Sequence, residues 1–116
     1  MPKTASAEAC APALMSSRKP TVILSPDARA DFTDILLYTW QTWGEEQRDR
    51  YEATLVLAIA ALADYPEAGA PRPRLFPGCR GRLAGSHILY YRLINDTVEV
   101  VRILHERTDL SRHFRT

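Results

Sequence analysis

The stretch RILHERTDLSRHF, Arg102–Phe114, gathers three arginines, two histidines, one glutamate and one aspartate within thirteen residues. Arginine stays charged at any cellular pH and grips carboxylate or phosphate, while imidazole titrates near neutrality and can take or give a proton. Asp109, just before Leu110-Ser111-Arg112, is the residue type that caps a short terminal turn. Two readings of this tail are compatible. In one, Arg107, Asp109, Leu110, Arg112 and His113 form a recognition segment; in the other, Leu110 and Phe114 dock a helical turn on the core and leave the charges outside.

Other chemistry is poorly represented. Cys10 and Cys79 have no metal-ligand or CxxC spacing, which predicts two free thiols in a reducing cytosol and no metal site. No GxGxxG, GxxxxGK[ST], HExxH or GxSxG pattern occurs, and Ser86-His87 is adjacency rather than a triad. Glu45, Glu46 and Asp49 stand at a predicted helix start, where the helix dipole accounts for them. No cofactor is expected.

Charge is divided unevenly along the 116 residues. Up to Ala68 there are six Lys/Arg against ten Asp/Glu, a net of −4; from Gly69 onward there are nine Arg against four acids, a net of +5, together with all three histidines. Such an offset serves either as an ordinary solvated surface or as a basic face for an acidic partner or nucleic acid. The longest apolar run, Leu55–Ala63, is nine residues, less than half of the roughly 20 that a membrane span needs, so it belongs to a core helix. Residues 1–20 read as a flexible extension, with Met15 a possible true start, and 21–116 as one domain.

The elements that must position these groups follow from periodicity. Thr21–Leu24 reads as a strand, and Ser25-Pro26 as the cap and first turn of a helix. Ala28, Phe32, Ile35, Leu36, Thr39 and Trp43 recur at three and four as one buried stripe, which Gly44 ends. Tyr51, Leu55, Ala58, Ile59, Leu62 and Tyr65 form a second stripe up to Pro66, giving an αα-hairpin. A crossover holding four of the eight prolines comes next. CRGRLAG is a weak strand, and SHILYYRLINDTVEVVRIL a strong hairpin turning at Asn95-Asp96. Apolar residues on both faces of its strands predict the middle of a sheet, with helices on one side and partial cover on the other. Trp40, Trp43, Tyr51, Tyr65, Tyr90 and Tyr91 occupy stripe or strand positions and are expected in the core rather than stacked on bases.

The segments LSPDARADFTDILLY, WGEEQRDRYEATLVLAIAALADYPEAGAPRP, GSHILYYRL and VEVVRILHERTDLSRHF, in that order and spacing, resemble the ParE toxins of the ParE/RelE superfamily over Val22–Phe114, about four fifths of the chain. The resemblance implies an α+β fold of order β-α-α-β-β-β, with the helical hairpin packed on a small, mostly antiparallel sheet. It further implies the toxin of a type II toxin–antitoxin pair in the bacterial cytoplasm, an inhibitor of DNA gyrase, wrapped by a ParD-like antitoxin as a hetero-oligomer. On that expectation the antitoxin lies across the hairpin and meets a basic sheet face, with Phe32, Leu36, Trp40, Tyr51, Arg80, Arg82 and Arg92 as contacts.

The sister RelE branch cleaves messenger RNA on the ribosome, so a catalytic alternative stands beside this one. Metal-free ribonuclease chemistry needs a group to activate the 2′-hydroxyl, a proton donor and cations over the developing phosphate charge. Positions matching the RelE pattern are Arg80, Arg82, His87, Arg107 and His113. Their plainer roles are exposed strand arginines for Arg80 and Arg82, and a hydrogen-bonding histidine for His87. His105, at a strand end, is expected to bond a carbonyl or carboxylate. No helix-turn-helix pattern appears and the helices carry the acidic half, so direct DNA binding by the chain alone is disfavoured.

Overall fold

A computed structural model describes residues 19–114; Cys10, Met15 and the expected extension up to residue 18 lie outside the described residues. The elements run β1 (Thr21–Leu24), α1 (Pro26–Trp43), α2 (Glu45–Asp64), β2 (Ala70–Pro71), β3 (Arg80–Ala84), β4 (His87–Ile94) and β5 (Thr97–His105), followed by a 3₁₀ turn at Leu110–Arg112. One five-stranded sheet has the order β1-β5-β4-β3-β2, with β1 parallel to β5 and every other pair antiparallel. The α+β order is the expected one with a single addition. The proline-rich crossover is extended enough for Ala70 to pair with Gly81 and Pro71 with Arg80, and an outer edge is where a residue without an N–H is tolerated.

Local chemistry accounts for the hairpin. The Ser25 hydroxyl accepts from the Ala28 N–H at 3.0 Å and donates to the Val101 carbonyl at 2.7 Å, so one side chain caps α1 and ties it to β5. Gly44, at φ +95°, ends α1 and opens α2 as the single residue between them, a conformation that favours glycine. Beyond Leu24 the chain leaves the sheet, and the outer edge of β5 loses its strand partner. Asp31 of α1 takes over. Its carboxylate accepts from the Ile103 N–H at 2.9 Å and from the Arg102 guanidinium at 2.8 and 2.9 Å. Asp31 therefore serves as a pin as well as a charge near the helix start.

Both faces of the central strands are apolar because both are covered. Leu89, Tyr91, Val98, Val100 and Ile103 pack beneath Ala28, Leu55 and Leu62 of the hairpin. On the far face Cys79, Tyr90 and Leu104 meet Phe76, Ile88, Leu110 and Phe114, supplied by the crossover and the tail. A bulge opposite Tyr90/Tyr91, where Arg102 and Val100 are the partners and Val101 is skipped, lets β5 feed both layers. Asn95 takes the expected positive φ, +56°. Three aromatics expected in the core lie outside it: Trp43 is 69% exposed, Tyr65 65% and Trp40 49%. Trp43 is the last residue of α1 and Tyr65 follows the last residue of α2, while Trp40 lies on the outer side of the hairpin.

Candidate functional site

Three surfaces bring chemistry-bearing residues together. On the outer side of the hairpin a groove of about 350 Å³ runs between α1 and α2, walled by Phe32, Leu36, Leu37 and Trp40 and closed by Arg48 and Glu52. Phe32 and Leu36 are half-buried because the same helix face also packs inward, while Leu37 and Trp40 turn to solvent. Phe32, Leu36 and Trp40, three of the seven residues expected to meet an antitoxin, therefore share one groove. The other four do not join them.

Tyr51 stands at a second surface. Its hydroxyl lies 2.6 Å from Nδ1 of His87, accepts from the Ser86 N–H at 2.9 Å and approaches the Ala84 carbonyl at 3.4 Å. The His87 ring meets His105 edge-on, with ring centroids 5.3 Å apart. A cleft of about 290 Å³ beside them is edged by Tyr38 and Trp43. Burial foremost, and then the neighbouring His105, hold the His87 imidazole below its usual range, so a neutral ring accepting from Tyr51 fits the geometry. The arrangement fastens the β3–β4 turn onto α2. His105 accepts the Arg107 N–H at Nδ1 rather than bonding a carbonyl or carboxylate.

Arg80 and Arg82 are not exposed strand residues. By register they share the helix-facing side of β3 with buried Ala84 and are themselves half-buried. Arg80 donates to the Glu67 and Gly69 carbonyls at 2.9 and 2.8 Å, holding the start of the crossover, and Nη1 of Arg82 is buried without a partner among the described residues. Arg92 lies over the Phe76 ring on the far face and pairs with Glu99 at 3.0 Å. Arg80, Arg82 and His87 lie by register on the helix-facing side of the sheet with Ala84, whereas Arg107 and His113 belong to the tail that docks on the far face.

The third surface is the far face. The tail docks there as its composition predicts, with Asp109 accepting from the Ser111 N–H at 3.1 Å and Leu110 and Phe114 packed toward Tyr90 and Leu104. The Ser111 bonds hold the Asp109 carboxyl below its usual range. Arg107 and Arg112 are exposed, and His113 is half-buried. Between this tail and the crossover opens a groove of about 550 Å³ over Ile88, Tyr90 and Leu110, rimmed by Arg72 and Arg74. Sequence reasoning passed over this arginine pair, although the alternation in APRPR, where each proline fixes its own φ, was a readable signal. Cys79 beneath it is a free thiol, as expected; burial pushes it up to about 11, so it stays protonated and inert.

Comparison with known proteins places the chain in a family. The family described as the ParE toxin of the type II toxin–antitoxin system parDE matches residues 22–110. The chain belongs to the ParE toxin family. Among ParE relatives, Toxin ParE1 of Mycobacterium tuberculosis is 40% identical over 100 residues, covering 85% of this chain and 99% of that one. Toxin ParE1 of Caulobacter vibrioides is 38% identical over 90 residues, covering 78% and 93%. Of solved structures, the chromosomal ParDE system of P. aeruginosa superposes with a TM-score of 0.66 at 20% identity, over 75% of this chain and 96% of that one. The RelBE2 toxin–antitoxin complex of M. tuberculosis superposes with a TM-score of 0.57 at 25% identity, over 77% and 100%. The ParE assignment and the α+β fold rest on independent comparisons and agree. No described helix is long and apolar enough to cross a membrane.

Proposed function

We propose that this ParE-family toxin is held in check by a ParD-like antitoxin whose amphipathic helix lies in the hairpin groove, and that the freed toxin arrests growth by acting on DNA gyrase. The observation that carries the first half is the groove itself. Leu37 and Trp40 are about half exposed beside half-buried Phe32 and Leu36, and contiguous apolar surface of this kind marks an interface. A helix with apolar residues at three and four spacing fits between two helices by ridge-and-groove packing. The structural neighbours belong to toxin–antitoxin assemblies, which supports a partner of this class.

The gyrase half is carried over from the family resemblance and is supported by the placement of the residues a messenger-RNA nuclease would need together on opposite faces of the sheet. Arg80 is committed to backbone carbonyls and His87 to Tyr51, so neither is free to handle a phosphate in this conformation. Arg107, Asp109, Leu110, Arg112 and His113 are assigned to the target surface.

Co-expression with the neighbouring antitoxin gene tests the reading. The two proteins should co-purify, and Trp40→Ala should weaken the complex by about 2 kcal/mol or more, as an aromatic anchor in a groove does. Expression without antitoxin should raise DNA-damage signalling and filamentation while leaving ribosome-bound messenger RNA whole. A toxin that elutes alone, or a ribosome-dependent cleavage pattern, would contradict one half or the other.

A further inference from the structure

The far-face groove has features that neither the hairpin nor the sheet core requires. Its floor is Ile88 and Leu110, with Tyr90 between the sheet and the crossover. Tyr90 lines the groove, and its hydroxyl makes no hydrogen bond among the described residues and is not sealed from solvent. Burial holds this phenol above its usual range, with nearby Arg72 working the other way, so at cellular pH it remains an O–H donor.

The rim is equally specific. Arg72 and Arg74 alternate with Pro71 and Pro73, and the backbone of Arg72 is fixed at both ends: its N–H donates to the Cys79 carbonyl at 2.8 Å and its carbonyl accepts from the Leu75 N–H at 3.1 Å. Two guanidinium groups are thereby carried on a stiffened segment. Among the described residues neither has an ion-pair partner; Glu106 is the one acid along the groove. Apolar floor, idle hydroxyl donor and paired cations together describe the complement of one chemistry, an extended peptide with Leu or Phe side chains flanked by carboxylates.

We propose that this groove seats an acidic, leucine- or phenylalanine-bearing segment of the protein the toxin arrests. The proposal rests on the functional reading above and deepens it. Ile88 and Tyr90 point away from the face of β4 that packs under the hairpin, so the seat is separate from the groove assigned to the antitoxin, whose walls carry one acid and one base in balance.

The test uses the full chain made by cell-free synthesis. Random short peptides displayed on phage are selected on it, and the enriched peptide is titrated by fluorescence polarisation. Enriched sequences should carry Asp or Glu on either side of Leu or Phe. Arg72→Glu with Arg74→Glu should lower affinity at least about tenfold, and Tyr90→Phe should lower it about threefold to tenfold, while Trp40→Ala leaves it unchanged. In cells the double arginine variant should lose growth arrest and still co-purify with antitoxin. Enrichment of neutral or basic peptides, full affinity in the double variant, or persistence of its growth arrest overturns the proposal. Loss of antitoxin binding in that variant also overturns it, by giving the groove to the antitoxin. A wild-type chain that arrests nothing sinks the functional reading, whereas the peptide titration decides the chemistry of the groove separately.

Discussion

His87 shows how a residue of catalytic type becomes a structural one. It titrates below its usual value because it is buried, with His105 adding to the effect and Asp31 and Glu106 opposing it. In the unfolded chain the ring takes up a proton near about pH 6.5, where the folded ring is still neutral, so stability falls as pH drops below that value until the folded ring titrates as well. The melting temperature should therefore decline between about pH 7 and about pH 5.5, and His87→Gln should flatten that slope. An equal slope in the variant would overturn the assignment of this pH dependence to His87. At the adjoining turn, Gly85 has φ +62° and a Cβ there would lie 2.7 Å from the Tyr51 ring. Gly85→Ala should cost about 1–3 kcal/mol in denaturant unfolding. The role of Asp109 as a cap and of Leu110 as an anchor was legible in the sequence, because both act through near neighbours. Arg80 and Arg82 were misread because residue type alone does not say which face of a strand a side chain takes.

At the scale of elements, boundaries were the legible part. Ser25-Pro26 and Gly44 punctuate α1 where local rules put them, and the paired strands around Asn95 follow from β-branched runs and a turn residue that accepts positive φ. Long-range fastening was hidden. Nothing near Asp31 in the sequence announces Arg102, 71 residues away, or the Ile103 N–H that the same carboxylate satisfies. Asp31→Ala would strand both donors at the edge of β5 and should destabilise the fold by about 3 kcal/mol, read as a lower denaturant midpoint at unchanged slope. A cost below about 1 kcal/mol would mean the pair behaves as a surface ion pair. Trp43 and Tyr65 went astray for a related reason: periodicity marks a face but not where the covering layer stops.

Across the whole molecule the sheet separates the two proposed surfaces, and substitutions should sort by face. Leu110→Ala on the far side should loosen the tail and cost about 1–2 kcal/mol of stability, since the side chain is half-buried. Arg107→Ala with Arg112→Ala, both exposed, should leave the melting temperature and antitoxin co-purification unchanged while relieving growth arrest in a plating assay. Full toxicity of that double variant would confine the target surface to the Arg72/Arg74 groove. The parallel pairing of β1 with β5 carries one more consequence, in genetics rather than chemistry. Because β5 is an inner strand, flanked by both β1 and β4, any reading frame broken before Thr97 leaves β1 without a partner and β4 with an open edge, and removes Leu104, Leu110 and Phe114 from the far face. Cells escaping an unneutralised copy should thus carry frameshifts and nonsense changes spread along the whole gene up to that codon, with no early stretch spared.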